Sequence, residues 1–378
     1  MPVYLHAQEI GGKVVDTSGA PLSNASVFIS NTTLGTITNQ NGEFVLHNIP
    51  AGAFEVVISY VGYETLVHKI SNRSKSYFLF TLKLKDGNLQ SVIVRNYDKN
   101  GWERWGRLFI NNFIGSSALA DHCKLINPRD IGFVYSEKKG VLAAYSQKPI
   151  IIINKKLGYR IDFNLEEFRC DFNSKVVFFQ GYPLFKPLEG NKSQQRKWAS
   201  KRKEVYEGSV LQFMRALYEN KLTEEGFIVR RVIRHRNTEK ERIKFILDSL
   251  SEQTSISADS MDYYRQAMKG DDFSDFQDPQ PLRIDEFASR TDSNTVLINF
   301  SDYLHISYVK KKEDPEYYLR KVDTHPDSCI TALITLSKHD PIVVTSSGNY
   351  YDGTGLILLG YWAWSDKIAK MLPFDYWP

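Results

Sequence analysis

Residues 11–30 read GGKVVDTSGAPLSNASVFIS, and this stretch decides the fold class of the first part of the chain. Two short apolar runs, one ending at Val15 and one at Ile29, lie on either side of the tetrapeptide SGAP at 18–21. A glycine and a proline two residues apart in such a position are typical of a tight turn. The stretch therefore predicts two short strands joined by a turn.

The chain up to residue 85 repeats this pattern. Asn41-Gly42 predicts a hairpin turn before an apolar run at 44–46. Residues 78–84 place Phe or Leu at every second position, which is the period of a strand with one buried face. Five to seven strands between residues 9 and 85 predict a small β-sandwich.

The overall composition is that of a globular protein. Hydrophobic residues make up 42% of the 378 residues and charged residues 24%, which excludes disorder or a coiled coil for the whole chain. Aromatic residues reach 13%, as expected of a β-rich fold or of a surface that contacts partners or sugars. The net charge of +4 is too small to predict nucleic-acid binding by the molecule as a whole.

Changes of composition divide the chain into four parts. Residues 1–8 resemble the end of a secretory signal peptide, 9–85 form the sandwich, 86–100 are a polar linker, and 101–378 form a larger domain. No run approaches the roughly 18 to 20 apolar residues that span a bilayer, and the first 100 residues hold no cysteine for a lipid anchor. We therefore expect a periplasmic protein, peripheral to the outer membrane, whose membrane association comes only through a partner.

The larger domain alternates between helical and strand patterns. Apolar residues at 102, 105, 109 and 113 predict an amphipathic helix. The remaining segments predict an antiparallel meander over 131–188, helices over 192–222, 243–250 and 365–372, a flexible acidic loop over 271–278, and strands at 227–233, 296–300, 304–309, 329–336 and 342–345. The predicted fold is thus mainly β, a sandwich followed by an α+β domain with an antiparallel sheet.

The turn residues of the first part carry a resemblance to a known family. The segments concerned are 12–16, 19–22, 25–27, 38–44, 49–52 and 60–63. Together they resemble the carboxypeptidase regulatory-like domain, a prealbumin-like sandwich. In Bacteroidota that domain commonly precedes the plug of TonB-dependent outer-membrane transporters, and residues 89–94 resemble the segment that joins the two. The rest of the chain is far too short for such a transporter barrel.

The larger domain carries a second resemblance. The segments concerned are Cys123 with 127–128, 154–159, 181–185, 206–217 and 360–376. They resemble a family of Bacteroidota envelope proteins with the same N-terminal sandwich. That resemblance extends to an accessory subunit of the outer-membrane barrel-assembly machine, and it implies no functional residues.

Sequence motifs for catalysis are absent. A zinc peptidase needs paired His and Glu ligands, yet only His6 has a Glu three residues on, Glu9, in the expected signal remnant. Neither Gly-x-Ser-x-Gly nor a phosphate-binding loop occurs. We expect no enzyme activity, no metal, no cofactor and no small-molecule substrate.

Three cysteines, Cys123, Cys170 and Cys329, are too few and too scattered for a disulfide scaffold. A bridge between Cys123 and Cys170 and three buried free thiols are the alternatives, and free thiols are favoured.

Charge is unevenly distributed along the chain. Residues 192–242 contain fourteen basic and seven acidic residues, a net charge of +7, whereas 248–292 contain four basic and eleven acidic residues, a net charge of −7. The candidate partner-binding residues are Arg196, Lys197, Lys201 and Arg202, which suit an acidic protein or an anionic headgroup. Periplasmic location excludes nucleic acid. The alternative is a solvated helix face that is paired internally with the acidic segment.

Aromatic side chains near the C-terminus are candidates for sugar binding. Tyr350 and Tyr351 could stack on a glycan, whereas Trp362 and Trp364 are better explained as core residues. The function predicted from the sequence is a non-catalytic binding or assembly component of the bacterial cell envelope, associated with an outer-membrane or periplasmic protein complex. The alternative is a glycan-binding accessory protein of a nutrient-uptake system.

Overall fold

Strands predominate in the part of the chain that the structure describes. The computed structural model describes residues 9–49, 53–70, 77–85, 98, 100–249, 257–291, 295–319, 328–337, 340–351 and 355–378. The predicted signal remnant at 1–8 lies outside these residues, as does most of the predicted linker at 86–100. The mainly β fold class is confirmed.

The predicted β-sandwich consists of seven strands, β1 (Ile10–Asp16), β2 (Ser26–Ile29), β3 (Gly35–Ile37), β4 (Glu43–Leu46), β5 (Phe54–Ser59), β6 (Leu66–Ile70) and β7 (Tyr77–Leu82). One sheet has the order β4-β1-β7, in which β1 is antiparallel to β4 and parallel to β7. The other has the antiparallel order β3-β2-β5-β6. Apolar side chains between the two sheets, among them Val14, Phe44 and Val56, form the first core.

The turn predicted at Asn41-Gly42 is present, but it joins strands of different sheets. The Gly42 N–H donates to the Asn39 carbonyl at 3.0 Å, and Gly42 has a φ of +74°, which favours glycine. β3 precedes the turn in the four-stranded sheet, and β4 follows it in the three-stranded sheet. The hairpin prediction is therefore wrong, because the chain crosses between the sheets here.

A helix packed on a six-stranded sheet forms the second unit. Its elements are α1 (Gly101–Phe113), β8 (Cys123–Leu125), β9 (Ile131–Ser136), β10 (Val141–Ser146), β11 (Ile150–Asn154), β12 (Tyr159–Asp171) and β13 (Val176–Pro187). β12 is central: β13 pairs along one edge, while β11 and β10 pair with successive parts of the other edge. The predicted amphipathic helix buries Phe109 and Phe113 in the second core, between α1 and the sheet.

Most of the remaining elements surround a third core, whereas the first of them packs against the second core through Val205 and Tyr206. They are α2 (Lys192–Tyr206), α3 (Val210–Tyr218), α4 (Leu222–Glu225), β14 (Phe227–Arg236), α5 (Thr238–Ser249), α6 (Ala258–Lys269), β15 (Phe273–Pro281), β16 (Ala288–Arg290), β17 (Thr295–Ile298), β18 (Tyr303–Lys312), α7 (Pro315–Tyr318), β19 (Cys329–Leu336), β20 (Ile342–Thr345), β21 (Tyr350–Tyr351), β22 (Leu356–Gly360) and α8 (Tyr361–Ser365). Two antiparallel sheets, β15-β14-β18-β19-β22 and β16-β17-β20-β21, pack with α3. The region predicted as one α+β domain thus contains two cores.

Three predicted segments differ from the structure. The helix over 192–222 is interrupted at Gly208, whose φ is +78° and whose Cα lies against Tyr308 and Ile330 with no room for a side chain. The acidic stretch at 271–278 is mostly strand β15 and not a flexible loop, because it pairs with β14. The final helix ends at Ser365, and only a short 3₁₀ turn, Ile368–Lys370, follows it.

The sandwich shares a small apolar contact with the second unit. Phe28 of β2 and Val57 of β5 point away from the sandwich core and are buried against Leu184 of β13. Beside them, the Asn31 N–H donates to the Pro183 carbonyl at 2.8 Å. The central strands of this sheet are therefore buried on both faces, and the sandwich is not structurally separate from the rest of the chain.

Residues 373–377, which we call the C-terminal strap, connect all three units. The Phe374 N–H donates to the Asn31 carbonyl at 2.7 Å, and the Asp375 carboxylate accepts the Thr33 N–H at 3.0 Å. On the other side, the buried Arg215 of α3 donates to the carbonyls of Phe374 at 3.0 Å and Tyr376 at 2.8 Å. Because the Tyr376 side chain also packs against the second core, the strap contacts all three units.

Candidate functional site

Helix α2 starts at a capped N-terminus. The Asn191 side chain accepts the Gln194 N–H at 3.0 Å, and the Gln194 side chain accepts the Asn191 N–H at 2.9 Å. This reciprocal capping box removes two of the unpaired donors that a helix start leaves. The first turn of α2 is consequently fixed in place.

Trp198 fastens the middle of α2 to the turn between β11 and β12. Its indole N–H donates to the Lys155 carbonyl at 2.9 Å. The ring lies against Gly158 and Gly190, where an added Cβ would approach ring carbons to 2.3 Å and 2.5 Å. Gly158 also has a φ of +68°, so glycine is required there on two counts. The indole therefore fits only because two neighbouring residues have no side chain.

Arg202 has a structural role. Its Nε donates to the Leu157 carbonyl at 2.7 Å and its Nη2 to the Gly158 carbonyl at 3.2 Å. The guanidinium lies 3.9 Å from the centre of the Tyr159 ring, and burial lowers its pKa from the ordinary value. The prediction that Arg202 contacts a partner needs correction, because its Nε, its Nη2 and the flat face of the guanidinium are engaged within the chain.

The side chain of Asn154 anchors the turn between β11 and β12, which faces α2. This side chain is fully buried, donates to the Ala369 carbonyl at 3.0 Å, and accepts the Leu157 N–H at 3.0 Å. The two residues between, Lys155 and Lys156, are exposed. A buried anchor thus presents two cations on a rigid turn.

A basic cleft of about 860 Å³ lies between this turn and α2. Its lining is His122, Lys155, Lys156, Leu188, Glu189, Gln194, Arg196, Lys197, Trp198, Ser200 and Lys201. Five of these are Lys or Arg, and Glu189 is the one acidic residue among them. The cleft therefore carries a strong positive charge between walls of fixed geometry.

Three of the four predicted partner-binding residues line this cleft. Arg196 and Lys197 are exposed, whereas Lys201 is half-buried and pairs with Glu204 at 2.6 Å. Sequence reasoning missed Lys155 and Lys156, because they are about 40 positions away and no local pattern links them to α2. The Lys155-Lys156 dipeptide next to a glycine turn was the available signal.

Helix α2 does not pair with the acidic segment. Within the described ranges, no ion pair joins a cation of α2 to residues 248–292. That segment pairs elsewhere: Asp275 with Arg234 at 2.6 Å and Asp272 with Lys240 at 2.7 Å. The alternative of internal charge pairing for α2 is therefore wrong for the described part of the chain.

A second surface lies on the outer face of the three-stranded sheet. The register places Val45, Gly11 and Tyr77 in one row across the sheet, and Glu43, Lys13 and Leu79 in the next. Val45, Tyr77 and Leu79 are 44%, 62% and 65% exposed. We call these three residues with Gly11 the apolar face. Lys13 and Glu43, the charged pair of the second row, border it.

Of the two predicted glycan-binding tyrosines, the structure describes the side chain of Tyr350. Tyr350 is half-buried and packs against the third core, and burial raises the pKa of its hydroxyl. The side chain of Tyr351 lies outside the described residues. Trp362 is 1% exposed and donates its indole N–H to the Gly208 carbonyl at 2.9 Å, as expected of a core residue.

The cysteine side chains are separate from the basic cleft. All three cysteines are free thiols, so no bridge joins Cys123 to Cys170; only Cys170 is fully buried. Burial raises the pKa of Cys123 to about 12. The described residues include no group of three or more His, Cys, Asp or Glu side chains placed to hold a metal ion. None of the described helices is both long and apolar enough to cross a membrane.

The fold and these surfaces define a mainly β protein with an N-terminal sandwich and a basic cleft. Residues 10–94 match the family model of the CarboxypepD_reg-like domain, so this part of the chain is such a domain. The match extends beyond residue 85, where the sequence predicted the sandwich to end.

Comparison with curated proteins gives a TonB-dependent receptor, P39, of Formosa agariphila. It is 32% identical over 94 residues, which is 25% of this chain and 9% of the receptor. The chain thus carries a domain that also occurs in a TonB-dependent receptor, and it spans less than a tenth of that protein. This match gives no support to the resemblance to a barrel-assembly accessory subunit.

Solved structures show only distant similarity. A putative membrane-associated protein of unknown function from Bacteroides fragilis is 10% identical, with 94% of this chain and 95% of that chain covered and a TM-score of 0.17. A cohesin–X-dockerin complex from Acetivibrio cellulolyticus is 21% identical over 21% of this chain and 59% of that one, with a TM-score of 0.19. Scores this low carry no structural argument.

Proposed function

We propose that this chain is a non-catalytic binding or assembly component of the bacterial cell envelope, located in the periplasm and associated with an outer-membrane protein complex. The observation that carries the proposal is the apolar face on a domain that also occurs in a TonB-dependent receptor. Exposed apolar side chains bordered by charge are typical of a surface that docks a protein.

The apolar face has the features of a contact surface. Tyr77 and Leu79 are adjacent outward-facing residues of β7, and Val45 lies across Gly11 from Tyr77. Gly11 has no side chain, so the centre of the face is shallow between larger neighbours. Tyrosine provides a large contact area at a low cost in conformational entropy and is enriched at protein interfaces.

Glycan binding has weaker support. Sugar recognition uses exposed rings on which a sugar can stack, and the half-buried Tyr350 does not offer one. An undetected hydrolase would need a catalytic group in a cleft, and the acidic lining of the basic cleft is limited to Glu189. A protein-binding role is therefore the function that the geometry favours.

Affinity capture tests this function. The tagged chain is expressed in its native host, and its fractionation is followed before capture from detergent-solubilised envelopes. We expect recovery in the envelope fraction together with an outer-membrane protein, and loss of that protein with Tyr77→Ser and Leu79→Ser combined. The matched control combines Ile37→Ser and Val61→Ser, two residues that are 63% and 66% exposed elsewhere on the sandwich.

Recovery of the chain in the cytoplasm would contradict the location. Equal capture by the face variant, the control and the wild type would contradict the assigned surface. Thermal unfolding of both variants serves as the folding control, because exposed substitutions usually change stability by less than about 0.5 kcal/mol.

A further inference from the structure

The basic cleft has the size of a ligand site. Its volume of about 860 Å³ falls within the roughly 300 to 1,000 Å³ typical of pockets that hold a small molecule. Protein partners, in contrast, usually contact broad surfaces of about 800 Å² on each side. The cleft is therefore large enough to accommodate a compact ligand.

The charge of the cleft is not neutralised within the chain. Lys201 is paired with Glu204, but the charged side-chain groups of Lys155, Lys156, Arg196 and Lys197 form no ion pair or hydrogen bond with any described residue. Against the single carboxylate of the lining, these four cations leave an excess of three positive charges. Four cations held close together repel one another, and an anion between them removes that cost.

The backbone that carries the cations of the cleft is anchored on both sides. The buried side chain of Asn154 fixes the turn that carries the two lysines, while Trp198 and Arg202 fix α2 to the same turn. A site that is formed before binding loses little conformational entropy when the ligand arrives. Leu188 and the indole ring supply an apolar wall for the uncharged part of a ligand.

We propose that the cleft binds a compact anion with about two phosphoryl groups joined by a neutral body. A phosphate monoester carries about −1.5 to −2 charges at neutral pH and a diester about −1, so two such groups supply about −2 to −4 charges against an excess of three. An acidic peptide needs three or more carboxylates in the same volume to reach that charge. The two lysines and the Arg196–Lys197 pair lie on opposite walls, one pair for each end of the ligand.

Calorimetry with the purified full chain tests the ligand class. The probes are fructose 1,6-bisphosphate, inorganic phosphate and tetraglutamate. We expect the protein to bind the bisphosphate more tightly than inorganic phosphate or tetraglutamate. The double substitutions Lys155→Ala with Lys156→Ala, and Arg196→Ala with Lys197→Ala, should each weaken its binding about tenfold or more, as expected for lost charge-assisted hydrogen bonds.

The control removes two lysines from another surface. Lys138 and Lys139 are exposed neighbours in the β9–β10 turn, outside the lining of the cleft. Replacing both with alanine changes the net charge by the same amount as each cleft variant. The affinity of this control variant for the bisphosphate should remain within about twofold of wild type, since distant exposed charges are screened over roughly 8 Å.

A second arm identifies the source of the phosphoryl groups. Vesicles of phosphatidylcholine with and without cardiolipin, a lipid with two phosphates, are sedimented with the protein. The ligand is a lipid headgroup if the protein binds cardiolipin vesicles, if the cleft variants abolish that binding, and if the bisphosphate competes with it. Calorimetric binding of the bisphosphate without vesicle binding assigns a free ligand.

Three results would overturn the proposal. They are the absence of binding to both the bisphosphate and cardiolipin, equal effects of the cleft and control variants, and tetraglutamate binding as tightly as the bisphosphate. These measurements use purified protein and the cleft alone, so their failure is independent of the envelope location and of the apolar face.

Discussion

Arg215 provides the sharpest test of how the three units are held together. It is 2% exposed, and its guanidinium donates to three carbonyls: those of Ser347 at 2.9 Å, Phe374 at 3.0 Å and Tyr376 at 2.8 Å. The Trp377 ring centre lies 3.8 Å from the guanidinium carbon. We predict that Arg215→Met, which keeps much of the side-chain volume, releases the C-terminal strap.

The size of the effect follows from these contacts. A hydrogen bond to a charged group contributes about 1.5–3 kcal/mol, and the cost of burying the guanidinium offsets part of the total for three. Removing the cation leaves three carbonyl oxygens without their partner. We therefore expect Arg215→Met to lower the free energy of unfolding by about 3–5 kcal/mol.

Urea unfolding followed by circular dichroism measures that change, with Arg231→Met as the control. Arg231 is an exposed arginine of β14, so its replacement should stay within about 0.5 kcal/mol of wild type. Digestion with a carboxypeptidase gives a second measurement, because a released strap is trimmed faster. Stability within about 1 kcal/mol of wild type together with unchanged trimming would refute the role given to Arg215.

Three further predictions concern single positions. Gly158→Ala should destabilise the protein by more than Gly19→Ala, and paired urea melts give the difference. Both glycines have positive φ, a conformation that costs alanine about 1–2 kcal/mol, but only at Gly158 does the added Cβ meet an indole ring. Leu184→Ala should cost about 2–5 kcal/mol in a thermal melt, whereas Leu84→Ala, at a 63% exposed position, should be close to neutral. The pKa of Asp275 is held below the usual value by hydrogen bonds to an arginine. Its carboxylate therefore stabilises the fold above the unfolded pKa of about 4, and this stabilisation is lost as the pH falls through the lower pKa of the folded state. Asp275→Asn should therefore reduce the difference in stability between about pH 7 and about pH 3, by less than about 1 kcal/mol because the pair is partly exposed; an unchanged difference would contradict this.

Local sequence patterns were sufficient to predict a helix or strand where one face of the element is buried. The strands at 329–336 and 342–345 have the predicted bounds, since their apolar residues alternate with the pleat. The helix with Phe109 and Phe113 was likewise predicted from its spacing. Here the same residues determine both the local conformation and the packing.

Predictions failed where distant residues decide the outcome. The acidic stretch at 271–278 is mostly strand because β14, about 40 residues earlier, offers it an edge. Gly208 interrupts a helical pattern because Tyr308 and Ile330 lie against it. Neither partner can be inferred from the local sequence.

The candidate site shows the same limit. The exposed cations of α2 follow from composition, so Arg196 and Lys197 were found. The two lysines on the opposite wall depend on the packing of Trp198 over Gly158, which no spacing rule indicates. The structural role of Arg202 depends on that packing too.

The parallel pairing of β1 with β7 determines how the sandwich responds to tension. These are its first and last strands, and six residue pairs, from Gly11 with Tyr77 to Asp16 with Leu82, run in the same direction. The chain therefore enters the sandwich at one end of the sheet and leaves it at the other. A pull on the two ends slides β1 along β7 and strains the hydrogen bonds between them together, in shear, where an antiparallel terminal pair would open one bond at a time. The sandwich can transmit a pulling force along its length without unzipping.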